Sequence, residues 1–229
     1  MRNRVIGSIL AVAAALAISP SLLAQRASSP PDLSGVWMLR DVGNNTFTKE
    51  AIPMRPSAEE KFKASVAAGP SKDPEMNCFP PGMPRIYFHR YPIEIVQQPG
   101  RVLMIFEFDH FIRQIWTDGR KHPAEEELDH TWMGHSVGRW DGDTLVVDTV
   151  GLNDKTWLDS AGHPHSDALH VVERIRRVNP DTLEIEFTFD DPKTYTKPWK
   201  GQKLFRLRPG WEIAEQVCAD NFLWKEPGK

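Results

Sequence analysis

Cysteine is scarce in this chain, whose 229 residues contain only Cys78 and Cys218. So few thiols exclude a disulfide-dense scaffold, and no Cys-x-x-Cys pair is present to serve as a redox or zinc site. In an exported protein the two cysteines can pair with each other. Closing so long a loop would contribute roughly 4–5 kcal/mol to stability in the chain-entropy model. Two free, buried thiols are the alternative.

Several catalytic signatures are also absent. The chain has no glycine-rich phosphate loop and no Gly-x-Ser-x-Gly elbow. Residues 134–138, GHSVG, only imitate the elbow, because Ser136 falls in a predicted hairpin and not between a strand and a helix. An excess of basic residues is missing too. The formal net charge of −3 gives no support to the binding of nucleic acid or of an anionic membrane surface.

Only one long apolar run occurs, and it lies near the N-terminus. Residues 5–18 are almost wholly apolar, Arg2 and Arg4 precede them, and Ala24 offers a small residue for cleavage. This pattern predicts a signal peptide over residues 1–24, with a buried N-terminal helix as the alternative. No second stretch is long enough to span a bilayer. We therefore expect a mature chain without a membrane anchor, either periplasmic or secreted.

The remaining chain predicts a single domain rich in β-strands. A Ser/Pro-rich linker covers residues 25–34, and the domain covers residues 35–229. One short helix is predicted from Ser57, whose spacing to Glu60 is that of a capping box, to Gly69. Further along the domain, apolar and polar residues alternate between turn signals. Hairpins are predicted at residues 98–100, 141–142, 179–181 and 209–210, with a further turn at 118–119.

About eight to ten strands in sequential hairpins favour a mainly β fold, an antiparallel up-and-down β-barrel with one short N-terminal helix, because closure removes exposed strand edges. The start at Gly35-Val36-Trp37, followed by these hairpins, resembles a lipocalin-type (calycin-like) barrel. Such a barrel implies a small, partly apolar molecule bound in its interior. Residues 131–159 and 164–177 resemble an exported bacterial family of no firmly known function, which supports secretion and supplies no catalytic assignment.

Polar residues interrupt the predicted core faces of two strands. In MIFEFDHFIRQIW, predicted as one strand, His110 shares a face with apolar residues and Arg113 lies on the opposite face. In the strand that begins near His170, Glu173 shares the predicted core face with leucine and valine. An acid that points into a barrel needs a partner, such as histidine or arginine.

Histidines and carboxylates are predicted to form one inward polar cluster. Most of the eight histidines lie between His110 and His170. Imidazole titrates near neutrality, and burial beside a carboxylate would shift its pKa toward acid–base work. The members of the predicted cluster are His110, His135, Asp148, His165, His170 and Glu173. As the alternative, each histidine is a satisfied core residue or a solvated surface residue.

In a variant of this hypothesis, the histidines bind a divalent transition metal. His163 and His165 form a His-x-His pair in GHPHSDALH, and His170 follows five residues later. Such spacing suits a metal with an open coordination position. The predicted ligands are His135, His165 and His170.

The segment NDKTWLDSAGHPHSD is predicted to be a long loop over the mouth of the barrel. It would place Trp157 over the ligand and Asp154 or Asp159 near the histidines, whereas a packed surface loop is the alternative. Phe108 and Trp132 are predicted to add aromatic contacts to the ligand.

The favoured function is an enzyme that uses this cluster for a lyase, hydratase, isomerase or cyclase step. His110 or His170 would move the proton, and Glu173 or Asp148 would orient that histidine. Arg113 or Arg174 would stabilise the developing negative charge. The alternative is a non-catalytic carrier or structural envelope protein. Histidines deep in the barrel would favour the enzyme, and histidines outside an apolar interior would favour the alternative.

Overall fold

A computed structural model describes residues 30–220, which fold into nine β-strands and one α-helix. The predicted signal peptide, residues 1–24, lies outside the described residues, as do residues 25–29 of the predicted linker. The elements are β1 (Gly35–Leu39), α1 (Pro56–Ala68), β2 (Ile93–Gln98), β3 (Arg101–Phe106), β4 (Ile112–Trp116), β5 (His135–Asp141), β6 (Thr144–Val150), β7 (His170–Asn179), β8 (Thr182–Asp190) and β9 (Trp199–Leu207). Within the described residues no helix is both long enough and apolar enough to cross a membrane.

The nine strands close into a barrel in chain order, with β9 paired to β1. This confirms a mainly β closed barrel, a shape consistent with a calycin-like fold. The prediction of a purely antiparallel barrel is wrong. β4 and β5 run parallel, with Ile115 opposite Ser136 and Trp116 opposite Val137. A parallel pair needs a long connection that returns to the starting end, and residues 117–134 provide it.

Three of the predicted hairpins form, because each turn lies between two alternating strands. They join β2 to β3, β5 to β6 and β7 to β8. The last predicted hairpin does not form: the chain turns at Pro209-Gly210, but residues 211–217 make no strand. β9 instead uses its free edge to close the barrel on β1. The bend at Asp118-Gly119 leads into the parallel connection and not into a hairpin.

The predicted helix is α1, although its capping differs from the prediction. The N-cap is Arg55, and Pro56 occupies the first turn, where its missing N–H costs no hydrogen bond. Ser57 therefore lies inside the helix and forms no capping box with Glu60. Gly69, with φ of 71°, ends the helix and donates its N–H to the carbonyls of Ser65 and Val66.

The predicted strand MIFEFDHFIRQIW is two strands, β3 and β4, joined by a tight turn. Asp109 and His110 adopt positive φ values of 50° and 51°, and this reverses the chain direction between β3 and β4. Asp109 tolerates this conformation because its carboxylate accepts a hydrogen bond from the N–H of Cys218 at 2.6 Å. The reversal changes the phase of the alternation, so that Arg113 and Ile115 point inward on β4.

Alternation places apolar side chains in the barrel interior. On β8 the inward residues Leu183, Ile185, Phe187 and Phe189 are almost fully buried, as their spacing predicts. In the connection from β1 to β2, a 3-10 turn at Arg85–Phe88 is largely buried, and its Ile86 and Tyr87 belong to the core. Its Tyr87 ring packs edge-on against the rings of Phe106, Phe187 and Phe205. The interior is thus occupied by the protein's own side chains.

Candidate functional site

The polar group inside the barrel is an ion pair between Arg113 on β4 and Glu173 on β7. The side chain of Arg113 is 1% exposed and that of Glu173 is 0% exposed. The Tyr87 hydroxyl donates to Glu173 Oε1 at 2.8 Å, and Arg113 Nη1 donates to the Tyr87 oxygen at 2.8 Å. Arg113 Nη2 also donates to Thr149 Oγ1 at 2.8 Å and to Ser136 Oγ at 3.1 Å.

Within this network each charged group has an opposite charge and hydrogen-bond partners, as buried charges require. Although burial favours the neutral form, the charge of Glu173 raises the pKa of Arg113, so the guanidinium keeps its proton. Burial raises the pKa of the Tyr87 hydroxyl well above its ordinary value. The prediction that Glu173 points inward and finds a partner is therefore supported, but the partner is Arg113 and not a histidine. Tyr87 was missed, because a tyrosine in a proline-rich loop carries no periodic signal.

A second interior cation, Lys203 on β9, was also missed by sequence reasoning. It is 2% exposed, its Nζ lies 3.2 Å from the carbonyl oxygens of Asn44 and Thr46, and it stands 3.6 Å from the centre of the Phe88 ring. Burial lowers its pKa to about 8. In the sequence it appears only as one lysine in the alternating run QKLFRL, which does not mark its face.

The histidine and aspartate cluster assembles on the outer surface of the barrel. Asp148 Oδ1 accepts hydrogen bonds from His170 Nε2 at 2.9 Å and from His122 Nε2 at 3.0 Å. His122 Nδ1 lies 2.8 Å from His135 Nδ1. His122 donates from Nε2 to the carboxylate, so whenever its ring is neutral its Nδ1 accepts a hydrogen bond from His135. We call His135, His122, Asp148 and His170 the outer relay.

Sequence alternation places three of these side chains on neighbouring strands. His135, Asp148 and His170 lie on β5, β6 and β7, and all three point away from the core that Ser136, Val147 and Val171 enter. His122 comes from the parallel connection, residues 117–134. The predicted inward orientation of His135, Asp148 and His170 is therefore wrong. Asp148 contacts His170 directly, whereas His135 reaches Asp148 only through His122. His122 was not selected from the sequence, since only its place in a histidine-rich region marked it.

The outer relay has two ends with opposite electrostatic character. A hydrogen bond to Asp148 raises the pKa of His170, and the same bond, followed by the charge of His170, lowers the pKa of Asp148. At the other end burial and the charge of His122 lower the pKa of His135. The exposed fractions of the His122, Asp148 and His170 side chains are 22%, 40% and 39%. Solvent and small molecules can therefore reach the relay.

His110 and Phe108 belong to a different region. His110 is exposed, and its Nε2 lies 3.1 Å from the carbonyl of Ala214 in the C-terminal segment. Phe108 is buried and stacks on His89, with ring centres 3.9 Å apart. Burial lowers the pKa of His89 to about 3, so this ring stays neutral in the core. The predicted shared site of His110 and His170 is not assembled.

The three histidines of GHPHSDALH take three separate positions. His163 Nδ1 lies 2.7 Å from Asp159 Oδ2, and its ring stacks on Phe62 of α1. His165 is 6% exposed; its Nδ1 meets the Ser166 carbonyl, its Nε2 has no partner among the described residues, and burial lowers its pKa. His170 belongs to the outer relay. The segment is mostly a packed loop.

The other predicted ligand contacts are partly structural. Asp159 is fully buried and accepts from the N–H groups of Ala161 and His163, so it shapes the loop. Asp154 is exposed, and its charge acts on His165. Trp157 lies with its ring centre 5.6 Å from the guanidinium carbon of Arg85.

Trp132 lies near Phe79, and Arg174 pairs with Asp141 on the surface. In the part of the chain that the structure describes, no group of three or more His, Cys, Asp or Glu side chains is arranged to hold a metal ion. The predicted set of His135, His165 and His170 is consequently not assembled as ligands.

No protein-family model and no curated protein matches this chain.

Proposed function

We propose that this protein is an enzyme that moves protons on a small molecule at the outer relay, in an isomerase-, lyase- or hydratase-type step. The observation that carries the proposal is the hydrogen-bonded chain from His135 through His122 and Asp148 to His170, with the pKa values of its terminal histidines shifted in opposite directions. Such a separation of pKa values assigns an acid and a base.

The roles follow from the directions of these shifts. His170, with a raised pKa, holds its proton more tightly and serves as the general acid after the Asp148 carboxylate has oriented it. His135, with a lowered pKa, is neutral near pH 7 and serves as the general base. In one turnover the substrate loses a proton to His135 and gains one from His170. Because His122 and His170 both donate to Asp148, the two terminal histidines recover their protonation states by exchange with solvent.

Exchange of C–H protons tests this function without a known substrate. Pyruvate, acetoacetate and oxaloacetate would be incubated with the protein in D2O, and loss of the C–H signals would be followed by NMR. We expect catalysed exchange with at least one compound, slowed on the order of 100-fold or more by Asp148→Asn and by His170→Gln. His110→Gln is the matched control, because this exposed histidine lies outside the relay.

The pKa values of the histidines give a second readout. NMR titration of the wild-type protein should show His170 titrating above 6.5 and His135 below it, and Asp148→Asn should lower the His170 value. If Asp148→Asn leaves exchange rates and both titrations unchanged, the relay has no acid–base role.

The filled interior favours a second function, a non-catalytic structural protein of the cell envelope. Trp37, Tyr87, Phe187 and Phe205 are almost fully buried in the core, and the relay histidines lie outside it. This function predicts no exchange above background with any of the three compounds, together with full folding and export of the His170→Gln variant.

A further inference from the structure

A cleft of about 220 Å³ lies on the outer face of β7, β8 and β9, on the same surface as the outer relay. Phe187 and Gly201 form part of its lining. The other lining residues are polar or charged and come from alternate, outward positions of the three strands. They are Arg174, Glu186, Thr188, Lys200 and Gln202. The volume is below the range of drug-sized pockets, which restricts the cleft to a small ligand.

The strand register places this cleft directly beside the acid end of the relay. Asp148 is opposite Val172, and Val172 is opposite Thr188, so the relay carboxylate and the cleft share one row across the sheet. His170 is opposite Asp190 and therefore lies diagonal to Thr188. Diagonal neighbours on one face stand roughly 7–8 Å apart between their backbones, a distance that one small molecule can bridge.

The charges of the cleft favour an anion that also forms hydrogen bonds. Arg174 and Lys200 supply two cations against the single carboxylate of Glu186, and Thr188 and Gln202 supply neutral polar groups. The pair between Arg174 and Asp141 is 3.1 Å long and exposed on both sides, so it contributes little and can yield to a ligand. Lys200 is exposed on β9, directly opposite Thr188.

We propose that this cleft is the substrate subsite of the outer relay and takes a small carboxylate. The carboxylate group pairs with Arg174 and Lys200, and the reacting atom lies toward His170. A hydroxyl or amine of the ligand meets Thr188 or Glu186, whereas a second carboxylate meets Thr188 alone. The inference rests on the proposed function for the chemistry, but the binding of a carboxylate is independent of it.

NMR titration tests the binding with the full chain. Succinate, malonate and pyruvate would be added at constant ionic strength, adjusted with NaCl, while the imidazole signals of His170 are followed. We expect a saturable shift of His170 with at least one of these anions and none with succinamide, the uncharged analogue of succinate. Lys200→Gln should weaken binding at least fivefold. Lys197→Gln is the matched control, because this exposed lysine lies three residues away and outside the cleft.

The outcomes separate the two proposals. If none of the three anions shifts His170 in a saturable way, or if Lys197→Gln weakens binding as much as Lys200→Gln, the carboxylate subsite is wrong even where the relay exchanges protons. If the anions bind as expected but Asp148→Asn does not slow proton exchange, the cleft is a carboxylate site and the relay function fails.

Discussion

At the scale of single residues, the interior ion pair shows how a buried charge is tolerated. Arg113 and Glu173 satisfy each other and three hydroxyl groups, so neither needs water. We predict that Glu173→Gln lowers the free energy of unfolding by about 3–5 kcal/mol, because the guanidinium would lose its counter-charge in the core. Urea denaturation followed by tryptophan fluorescence measures the change.

The matched control is Glu186→Gln, an exposed glutamate on β8, which should change stability by less than about 0.5 kcal/mol. The double variant Arg113→Met/Glu173→Leu should recover most of the loss, since apolar residues can replace a buried pair. Equal effects of Glu173→Gln and Glu186→Gln would show that the interior pair is not buried as described.

Lys203 gives a prediction about pH. Its folded pKa is about 8, against an ordinary value of 10.5, so between these values the unfolded chain holds a proton that the folded chain has lost. Stability therefore gains a contribution as pH rises from 8 to 10.5, and below pH 8 the buried charge carries its full cost. We predict that Lys203→Met removes this gain.

The measurement is the difference in unfolding free energy between wild type and Lys203→Met at pH 7.5 and at pH 10, which cancels the titration of other groups. Lys200→Met, on the outward face of the same strand, should leave the wild-type pH dependence intact. A difference between wild type and Lys203→Met that does not change with pH would contradict a lowered pKa.

At the scale of elements, the alternation of apolar and polar residues predicted a strand well only where one face of that strand is exposed to solvent. Glu184 and Glu186 separate buried Leu183, Ile185 and Phe187, so β8 was read correctly. The β3–β4 region failed because apolar residues continue through the turn and no glycine marks it. Asp109 and His110 adopt the left-handed conformation although neither is glycine, which no period-two pattern can reveal.

The candidate site was only half predictable for a related reason. β6 carries valine on both faces, with Val146 7% exposed and Val147 fully buried. Apolar residues on both sides do not indicate which side is the core, so Asp148 was assigned to the wrong face. His122 lies in a connection without strands, and periodicity carries no information on where such a segment folds.

At the scale of the whole molecule, the predicted bridge between Cys78 and Cys218 is present and closes a loop with a sequence separation of 140. It fastens the C-terminal segment to the connection between β1 and β2. The same segment is held by the N–H of Asp109 on the carbonyl of Gln216 and by the N–H of Ala214 on Glu107. These contacts explain why His110 faces Ala214 rather than a ligand.

We predict that Cys78→Ser/Cys218→Ser lowers the free energy of unfolding by roughly 3–5 kcal/mol, because the unfolded chain regains the freedom that so long a loop removes. Urea denaturation of the full chain measures this, and dithiothreitol should destabilise the wild type but not the double variant. The His170 titration should stay unchanged in the folded double variant, because the relay lies on β5, β6 and β7 and the bridge touches none of these strands. Equal stability of the two proteins without reductant would mean that the C-terminal segment is fastened by its polar contacts alone.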